Sequence, residues 1–379
     1  MIKGYKIRLF PTVKQEQAIW KHIGACRFVW NWMLTKQEEL HDSGGKYMYA
    51  LGMMRLLSQL RNDDRYAWLK EVSCTSCRTV CRDLDEAYRL FFDHKCGHPK
   101  FKTRKRAKQI YPVRSDRLYF QSPRSVHIEK IGHIKCHIDK RLDSTIQYAF
   151  YNARISRVNN KWILTVCIEG ENQAPQLTDK SMGIDLGVKD SAVVAYGDEK
   201  LVFSNINKSI KVREINSRIN RLQRVISKKY LANKVGNRYV KTQNIIRCEN
   251  KLRRLYTRLS NIRTNYIHQS THKLVSLLPY RVVMEDLNVS GMIKNRHLSK
   301  AIQEQCLSEW IRQMKYKCEW NGIEFVQVGR FYPSSKTCSN CGCVKSDLKL
   351  SDRTFICNEC GFEIDRDFNA ALNLSRYAA

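Results

Sequence analysis

Two Cys-x-x-Cys pairs in the last fifth of the chain limit its fold more than any other feature of the sequence. Cys338 and Cys341 form the first pair, Cys357 and Cys360 form the second, and 15 residues separate the pairs. This spacing is typical of a zinc ribbon, in which four thiolates surround the ion tetrahedrally at about 2.3 Å. The sequence therefore predicts a closed, structural Zn²⁺ site within residues 331–362.

The remaining cysteines indicate thiols in a reducing environment. The chain has 15 cysteines, an odd number, and no secretion signal, which favours an intracellular, cytoplasmic protein over a disulfide framework. A second ligand set is conceivable because three cysteines share one face of a predicted helix, close in sequence to other possible ligands. Its members are Cys74, Cys77, Cys81, His94, Cys96 and His98. Small buried thiols are the preferred interpretation of that helix.

The charge of the chain indicates a polyanionic partner. Lys and Arg number 67 against 36 Asp and Glu, which gives a net charge of +31. Phosphate neutralisation makes nucleic acid the first candidate. A membrane is not expected as the partner, since no apolar stretch reaches the roughly 18 residues needed to span a bilayer.

Much of this charge lies in one segment, residues 205–265, which contains 17 Lys and Arg against two Glu. Two apolar stripes predict a pair of antiparallel helices there. A solvated hairpin is the alternative, but a merely soluble face would mix both signs of charge. We expect this segment to contact phosphates through Arg218, Arg221, Arg224, Lys228 and Lys229. Lys102, Arg104 and Lys105, in a shorter basic run, are expected to do the same.

The pattern of apolar residues divides the chain into an all-β region, a helical insertion and an α/β region. Residues 5–10 predict a strand, residues 14–40 predict a helix and residues 51–92 predict a further helical stretch. Short runs over 108–170 are typical of a β-barrel or sandwich. After a linker at residues 171–175, strands alternate with helices as in an α/β sheet.

Carboxylates follow two apolar strands and the ribbon. Asp185 ends a strand within Gly-Ile-Asp-Leu-Gly, Glu285 ends another within Val-Val-Met-Glu-Asp, and Asp365 and Asp367 follow the second cysteine pair. Together they could hold two divalent ions about 4 Å apart. Each motif alone is weak, because a strand-end acid is commonly a helix cap or a surface residue. Gly-Ile-Asp-Leu-Gly also occurs in sugar-kinase and chaperone-type ATPases.

The combination of motifs, in this order, closely resembles the TnpB family of transposon-encoded relatives of type V CRISPR effectors. The resemblance covers nearly the whole chain. It rests on GIDLGVKD, VVMEDLN, DRDFNAALNL, KGYKIRLFPTVKQEQ, GACRFVWNWML, CRDLDEAYRLFF and YPSSKTC. The resemblance implies a multidomain α/β protein with a split RNase H-like RuvC nuclease whose catalytic acids are Asp185, Glu285 and Asp367, acting through Mg²⁺. Asp367 is preferred over Asp365 because the family's acid lies two residues before the Asn-Ala-Ala segment. The alternative role of Asp365 is to cap a helix or form a salt bridge.

The resemblance also implies the arrangement of domains. Residues 1–10 and 105–178 would form an oligonucleotide-binding-like β-barrel (the wedge), and residues 11–104 a helical recognition lobe. Residues 179–330 would form the RuvC-like nuclease with the basic insertion at 205–265, followed by the ribbon at 331–362 and a last RuvC segment at 363–379.

The function implied is that of an RNA-guided DNA endonuclease of a mobile element, a monomer with one guide RNA and a double-stranded DNA target. A short motif beside the target would be read by Thr75, Arg78, Thr79 and Arg82; plain backbone contact or solvent exposure is the alternative role. Three other functions remain open at this point. They are an RNA-guided repressor that does not cut, a compact type V CRISPR effector, and a DNA-transposing enzyme.

Overall fold

A computed structural model of the chain describes residues 2–138, 142, 149–170, 175–330, 332–349 and 352–377. Parts of the predicted β-region (139–141 and 143–148) and most of the predicted linker (171–174) lie outside the described residues. The chain divides into two compact units, Met1–Glu171 and Asn172–Ala379. In the described part of the chain, none of the helices combines the length and the apolar character that a bilayer crossing requires.

The first unit is built on a seven-stranded antiparallel sheet. Its strands are β1 (Ile2–Phe10), β2 (Ile110–Pro112), β3 (Tyr119–Ser122), β4 (Ser125–Ile128), β5 (Gly132–His137), β6 (Phe150–Val158) and β7 (Lys161–Glu169). They lie in the order β2-β6-β7-β1-β5-β4-β3. The first strand of the chain therefore lies in the middle of a sheet whose other strands follow about a hundred residues later, which confirms the prediction of one β-region interrupted by helices. In the described residues, β2 and β3 are the two edge strands of this sheet. Closure of the sheet into a barrel stays a prediction.

The helical insertion has more breaks than the sequence pattern predicts. It consists of α1 (Val13–Asp42), α2 (Ala50–Asn62), a 3-10 segment (Asp64–Glu71) and α3 (Cys74–Phe92), and a further short 3-10 turn follows at Ser115–Arg117. The prediction of a continuous helical stretch from 51 to 92 is therefore wrong. Two polar side chains explain the breaks: Asp63 accepts a hydrogen bond from the Arg65 backbone N–H at 3.0 Å, and Ser73 caps α3 through the Ser76 backbone N–H.

The core of the first unit lies between the helices and one face of the sheet. Ile19 and Ile23 of α1 are buried, as are Val80 and Leu84 of α3, and they pack in one cluster with apolar residues of β1, β6 and β7. α1 begins where Thr12 and Gln15 form a capping box directly after Pro11.

The second unit has a mixed five-stranded sheet surrounded by helices. Its elements are β8 (Ser181–Asp185), β9 (Asp190–Tyr196), β10 (Glu199–Ser204), a 3-10 turn (Ile206–Lys208), α4 (Ile210–Ala232), β11 (Lys234–Val235), β12 (Arg238–Tyr239), α5 (Gln243–Val275), β13 (Arg281–Glu285), α6 (Val289–Met292), α7 (Ser299–Gln305), α8 (Leu307–Asn321), β14 (Glu324–Val328), β15 (Thr354–Ile356), β16 (Glu363–Asp365) and α9 (Arg366–Ser375). The large sheet has the order β10-β9-β8-β13-β14. Strands β8, β13 and β14 are parallel, while β9 and β10 are antiparallel to their neighbours.

The parallel pairing of β8 and β13 places the predicted acids together. Because parallel neighbours end at the same edge of a sheet, Asp185 at the end of β8 and Glu285 at the end of β13 lie at one edge. The register pairs Met284 with Ile184 immediately before them. The alternating strand and helix pattern thus confirms the α/β prediction for this unit.

The basic segment forms a helical hairpin, as predicted. Helices α4 and α5 pack through a small cluster that includes Val212, Ile215, Ile219 and Leu259, and Gly236 turns the chain between β11 and β12 at φ +55°. Helix α5 continues past the predicted boundary at residue 265, because its last turns carry apolar residues that join the core of the α/β sheet.

Candidate active site and metal centre

Three carboxylates from three elements interact electrostatically near the edge of the α/β sheet. Asp185 ends β8, Glu285 ends β13, and Asp367 lies in the first turn of α9. Desolvation raises the pKa of Asp185 well above its usual range, and the negative charges of Glu285 and Asp367 raise it further, against a smaller opposite effect of Arg366. The sequence-predicted acids therefore interact electrostatically in the structure.

This carboxylate site fits a hard divalent cation. Its donors are oxygens, the ligands that Mg²⁺ prefers, and a cation between them would offset the repulsion that acts on Asp185. In the described residues, the four ribbon cysteines form the cluster whose ligand atoms all lie within 4.8 Å of one another. The three carboxylates are not drawn together as tightly.

Gly183 allows α9 to reach the sheet. A Cβ at this position would lie 2.0 Å from the backbone oxygen of Ala371 and 2.4 Å from the backbone nitrogen of Ser375. Only glycine therefore permits this contact between β8 and α9, the helix that carries Asp367. Sequence reasoning missed this role, although a glycine inside an apolar strand is a known sign of close backbone approach.

The two acids beyond the ribbon have different environments. Asp365 is the N-cap of α9, where its Oδ1 accepts a hydrogen bond from the Phe368 backbone N–H at 2.9 Å. The same oxygen lies 3.3 Å from the Lys200 ammonium. Asp365 thus has the capping and ion-pairing role considered as its alternative, while Asp367 contributes more strongly to the pKa of Asp185.

The two neighbouring acids at the end of β13, Glu285 and Asp286, also have different roles. Asp286 pairs with the guanidinium of Arg330, whose Nη2 lies 3.0 Å from its Oδ2. Glu285 accepts a hydrogen bond from the hydroxyl of Ser334, a residue that is almost fully buried. Sequence reasoning did not find Ser334, which lies in the segment that leads to the cysteine pairs.

Two asparagines of α9 hold that segment in place. Asn373 Nδ2 donates to the backbone oxygens of Ser334 at 2.7 Å and of Thr337 at 2.6 Å. Asn369 Nδ2 donates to the same Thr337 oxygen at 2.7 Å, and Asn369 Oδ1 accepts from the Ser339 backbone N–H at 3.0 Å. The amides lie one helical turn apart on one face of α9, and this spacing was the available signal. Hydrogen bonds therefore hold α9, the helix that carries Asp367, against the segment that leads to the first cysteine pair.

The four ribbon cysteines form a compact ligand set. The Sγ atoms of Cys338 and Cys360 lie 3.8 Å apart, and those of Cys341 and Cys357 lie 3.5 Å apart. Tetrahedral thiolates about 2.3 Å from a zinc ion would be separated by about 3.8 Å. The residues present therefore fit a tetrahedral metal ion. Cys343 is not part of this cluster.

The second cysteine set belongs to a helix core. Cys77 and Cys81 are fully buried in α3, and desolvation raises the pKa of Cys81 to about 12. The ring of His98 packs against Phe91 and Tyr88, at centroid distances of 5.2 and 5.4 Å. These contacts agree with the interpretation as small buried thiols.

Three of the four predicted motif-reading residues line one cleft. Thr75, Thr79 and Arg82 face a cavity of about 810 Å³ between α3 and strands of the β-sheet. Its wall includes a bidentate ion pair between Arg154 and Asp83, with N–O distances of 2.7 and 2.8 Å. Arg78 is exposed on α3 and does not line this cavity.

The predicted phosphate contacts differ in accessibility. Arg104 and Lys105 are exposed. Lys102 is not placed with them, because its ammonium lies 3.1 Å from the ring centroid of Trp30, and burial lowers its pKa to about 8. The expectation of a surface contact at Lys102 is therefore corrected. On α4, most of the predicted cations are exposed and Lys229 is partly buried; the exposed ones are Arg218, Arg221, Arg224 and Lys228.

Family models match three parts of the chain. The model described as "Probable transposase" matches residues 165–296, and the model described as "Cas12f1-like, TNB domain" matches residues 308–374. A model described as "Helix-turn-helix domain" matches residues 1–46, where the described residues form β1 and one long helix, α1.

Two relatives that match 98% of this chain share one description. Two proteins similar to this chain are called "Putative RNA-guided DNA endonuclease". InsQ of Escherichia coli (strain K12) is 29% identical, with 98% of this chain and 91% of that protein covered. A protein of Streptomyces pristinaespiralis is 25% identical, with 98% of this chain and 88% of that protein covered.

One solved structure supports the fold over the whole length. The Cas12f1 chain in a cryo-EM structure of the Cas12f1–sgRNA–target DNA complex superposes with a TM-score of 0.64, at 14% sequence identity and with 99% of each chain covered. The two units of this chain thus have the fold of that protein.

Proposed function

Because the chain belongs to the TnpB family, we propose that it is an RNA-guided DNA endonuclease of a mobile element, which cuts double-stranded DNA beside a short motif. The observation that supports this proposal most is the electrostatic interaction of Asp185 with Glu285 and Asp367, in a sheet whose parallel strands β8 and β13 end at one edge. The relatives' names supply the substrate class, and the charge of +31 fits a protein that holds RNA and DNA together.

The chemistry proposed for the site is hydrolysis of a phosphodiester. Asp185, Glu285 and Asp367 would hold a pair of Mg²⁺ ions. Ser334 would keep the Glu285 carboxylate oriented. Bound Mg²⁺ would supply charge stabilisation at the attacking and leaving oxygens. Arg366, close enough to lower the pKa of Asp185, would help to keep that carboxylate ionised.

Recognition is proposed to be divided between the RNA and the protein. Base pairing with the guide RNA would read the target, and the protein would hold the backbone and read only the adjacent motif. The cleft of Thr75, Thr79 and Arg82 is the proposed reading site, since Thr and Arg side chains can contact base edges. Arg104, Lys105 and the exposed cations of α4 would contact phosphates.

The two units are proposed to carry the family's domains. Residues 1–10 and 105–178 would be the wedge, residues 11–104 the recognition lobe, and residues 179–330 with 363–379 the RuvC nuclease. The cysteine cluster of residues 331–362 would bind Zn²⁺ and have a structural role, because its four thiolates leave no open position. One chain carries every proposed site, so a monomer with one guide RNA would suffice.

The alternatives are less well supported. A repressor that binds without cutting would not need three acids at one site, and all three are present. A compact type V CRISPR effector would share this chemistry and differ by an adjacent repeat array in place of a transposon end. A transposing enzyme is suggested only by the description of one family model.

Sequencing of co-purified RNA tests the proposal. The protein would be expressed with its flanking DNA, and the bound RNA would be sequenced and its guide segment replaced by a chosen sequence. We expect cleavage of a plasmid library to follow the new guide and to require one motif beside the target. Cleavage that ignores the guide, or occurs without RNA, would contradict the proposed function.

A further inference from the structure

The tip of the basic hairpin exposes apolar side chains that nothing in the described chain covers. The tip is the segment from Leu231 to Lys241, which includes β11 and β12. Val235 is 68% exposed and Tyr239 is 55% exposed. Leu231 and Val240 are exposed as well. The two-stranded sheet β11–β12 has no core of its own, and such a sheet is only marginally stable in water. Exposure of these apolar side chains does not stabilise it.

A set of contacts at the base of the tip holds the exposed ring in one place. The hydroxyl of Tyr230 donates to Oε1 of Glu249 at 2.7 Å, and the Lys241 ammonium lies 2.5 Å from the other carboxylate oxygen. The rings of Tyr230 and Tyr239 meet edge to face with centroids 6.1 Å apart. The ring of Tyr239 is therefore supported on one side and open on the other.

Each face of the two-stranded sheet β11–β12 combines an apolar side chain with a cation. The register pairs Lys234 with Tyr239 on one face and Val235 with Arg238 on the other. Residues 228–248 contain six Lys and Arg and no Asp or Glu. The acid nearest in sequence, Glu249, is already occupied by Lys241. This combination suits a partner that offers flat apolar rings beside negative charges, which is a description of nucleic acid.

We propose that the tip is a base-stacking site. The ring of Tyr239 packs against the terminal base of a bound duplex, and Lys234 contacts the adjacent phosphate. The inference rests on the proposed function for the presence of a guide–target duplex, and it adds a residue that recognises the end of that duplex. Aromatic stacking of this kind is independent of sequence, as a protein with interchangeable guides requires.

Fluorescence of 2-aminopurine tests base stacking at the tip directly. The probe is an RNA–DNA heteroduplex of about 20 base pairs, with 2-aminopurine at its last or its central position, and it is added to the full-length protein in Mg²⁺-free buffer. We expect binding to quench the terminal label and to leave the central label unchanged. Quenching at both positions, or at neither, would overturn the inference.

Variants separate the ring from the charge. Tyr239→Ala should abolish the terminal response at saturating protein and weaken binding roughly fivefold or more, the effect of losing one stacked base. Tyr239→Phe should behave as the wild type, because no hydrogen bond of the Tyr239 hydroxyl is found in the described residues. The matched control is Tyr256→Ala, which removes another half-exposed tyrosine from α5. It should keep the terminal response.

The outcomes distinguish this inference from the proposed function. An unchanged terminal response in Tyr239→Ala would overturn the stacking inference even if the wild type cuts guided DNA. A Tyr239-dependent response in a protein that never cuts would support the stacking inference and contradict the proposed nuclease function. If the Tyr239-dependent binding is to phosphatidylglycerol vesicles and not to the duplex, the tip is a membrane contact and the inference is wrong. Thermal melting of each variant checks that the hairpin remains folded.

Discussion

The hydroxyl of Ser334 donates a hydrogen bond to Oε1 of Glu285, and the backbone oxygen of the same serine accepts one from Asn373 at 2.7 Å. A residue four positions before the first ribbon cysteine is thereby in contact with a proposed metal ligand and with the helix that carries another. The ribbon and the acidic site are parts of one hydrogen-bonded structure. A metal-binding module that does no chemistry can therefore influence the position of the carboxylates.

Ser334→Ala should raise the Mg²⁺ concentration needed for half-maximal cleavage by roughly tenfold, because residues that orient metal ligands typically contribute that much to metal affinity. Thermal unfolding should shift little, since one hydrogen bond is removed. The measurement is a Mg²⁺ titration of the cleavage rate at saturating guide RNA. An unchanged Mg²⁺ requirement would mean that Ser334 only packs beside Glu285.

Gly183→Ala should abolish cleavage while guide-RNA binding persists. The new Cβ would meet backbone atoms of α9 at 2.0 and 2.4 Å, so the helix that carries Asp367 would have to move away from Asp185. Overpacking of this kind costs about 1–3 kcal/mol, which thermal melting would detect. Gly329→Ala is the matched control, because nothing lies within 4 Å of its added Cβ, and it should cut normally. Wild-type cleavage by Gly183→Ala would show that α9 can shift without consequence.

Cys338→Ser should release the bound zinc and destabilise the segment from Cys338 to α9, because metal binding and local folding are coupled. Elemental analysis and thermal melting measure the two effects. Cys343→Ser is the control, since Cys343 lies outside the ligand cluster and its loss should leave the zinc content at one ion per chain. Wild-type protein without zinc would contradict the assignment.

Replacement of Arg221, Arg224, Lys228 and Lys229 by Gln should weaken RNA binding for every sequence alike. Loss of up to four phosphate contacts would reduce the slope of log affinity against log salt by about 3. Filter binding at several salt concentrations gives this slope. Arg221→Lys with Arg224→Lys keeps the charge and should retain it. A slope equal to that of the wild type would make the α4 face ordinary solvated surface.

The sequence predicted the elements of the site better than the contacts between them. Asp185 and Glu285 could be named because each ends an apolar strand within a motif that resembles the TnpB family. Parallel pairing of the two strands then brings such residues to one edge of the sheet. The spacing of Asn369 and Asn373 predicts one shared helix face, but their partners could not be predicted, because these are backbone groups far away in sequence. The role of Gly183 depends on the approach of a helix almost two hundred residues later in the chain.

The errors have equally local causes. The helical pattern from 51 to 92 hid two caps, Asp63 and Ser73, because the apolar spacing continues across both. Lys102 was grouped with exposed cations on sequence proximity alone, whereas Asn31 fixes its backbone by hydrogen bonds of 2.8 and 3.0 Å and turns the side chain onto Trp30. Such burial depends on tertiary packing and leaves no mark in a short basic run.

The most direct measurement of the central claim compares cleavage of a matched, motif-bearing duplex by four alanine variants of the ribonucleoprotein. Asp185→Ala, Glu285→Ala and Asp367→Ala should each lose cleavage and still bind the target, because binding depends on base pairing and basic surfaces. Their effects should not add, since the three carboxylates act as a unit. Asp365→Ala should cut more slowly than the wild type but still cut, because it loses a helix cap and an ion pair with Lys200. An inactive Asp365→Ala beside a fully active Asp367→Ala would contradict the third acid, and normal cutting by all four variants would contradict the nuclease site itself.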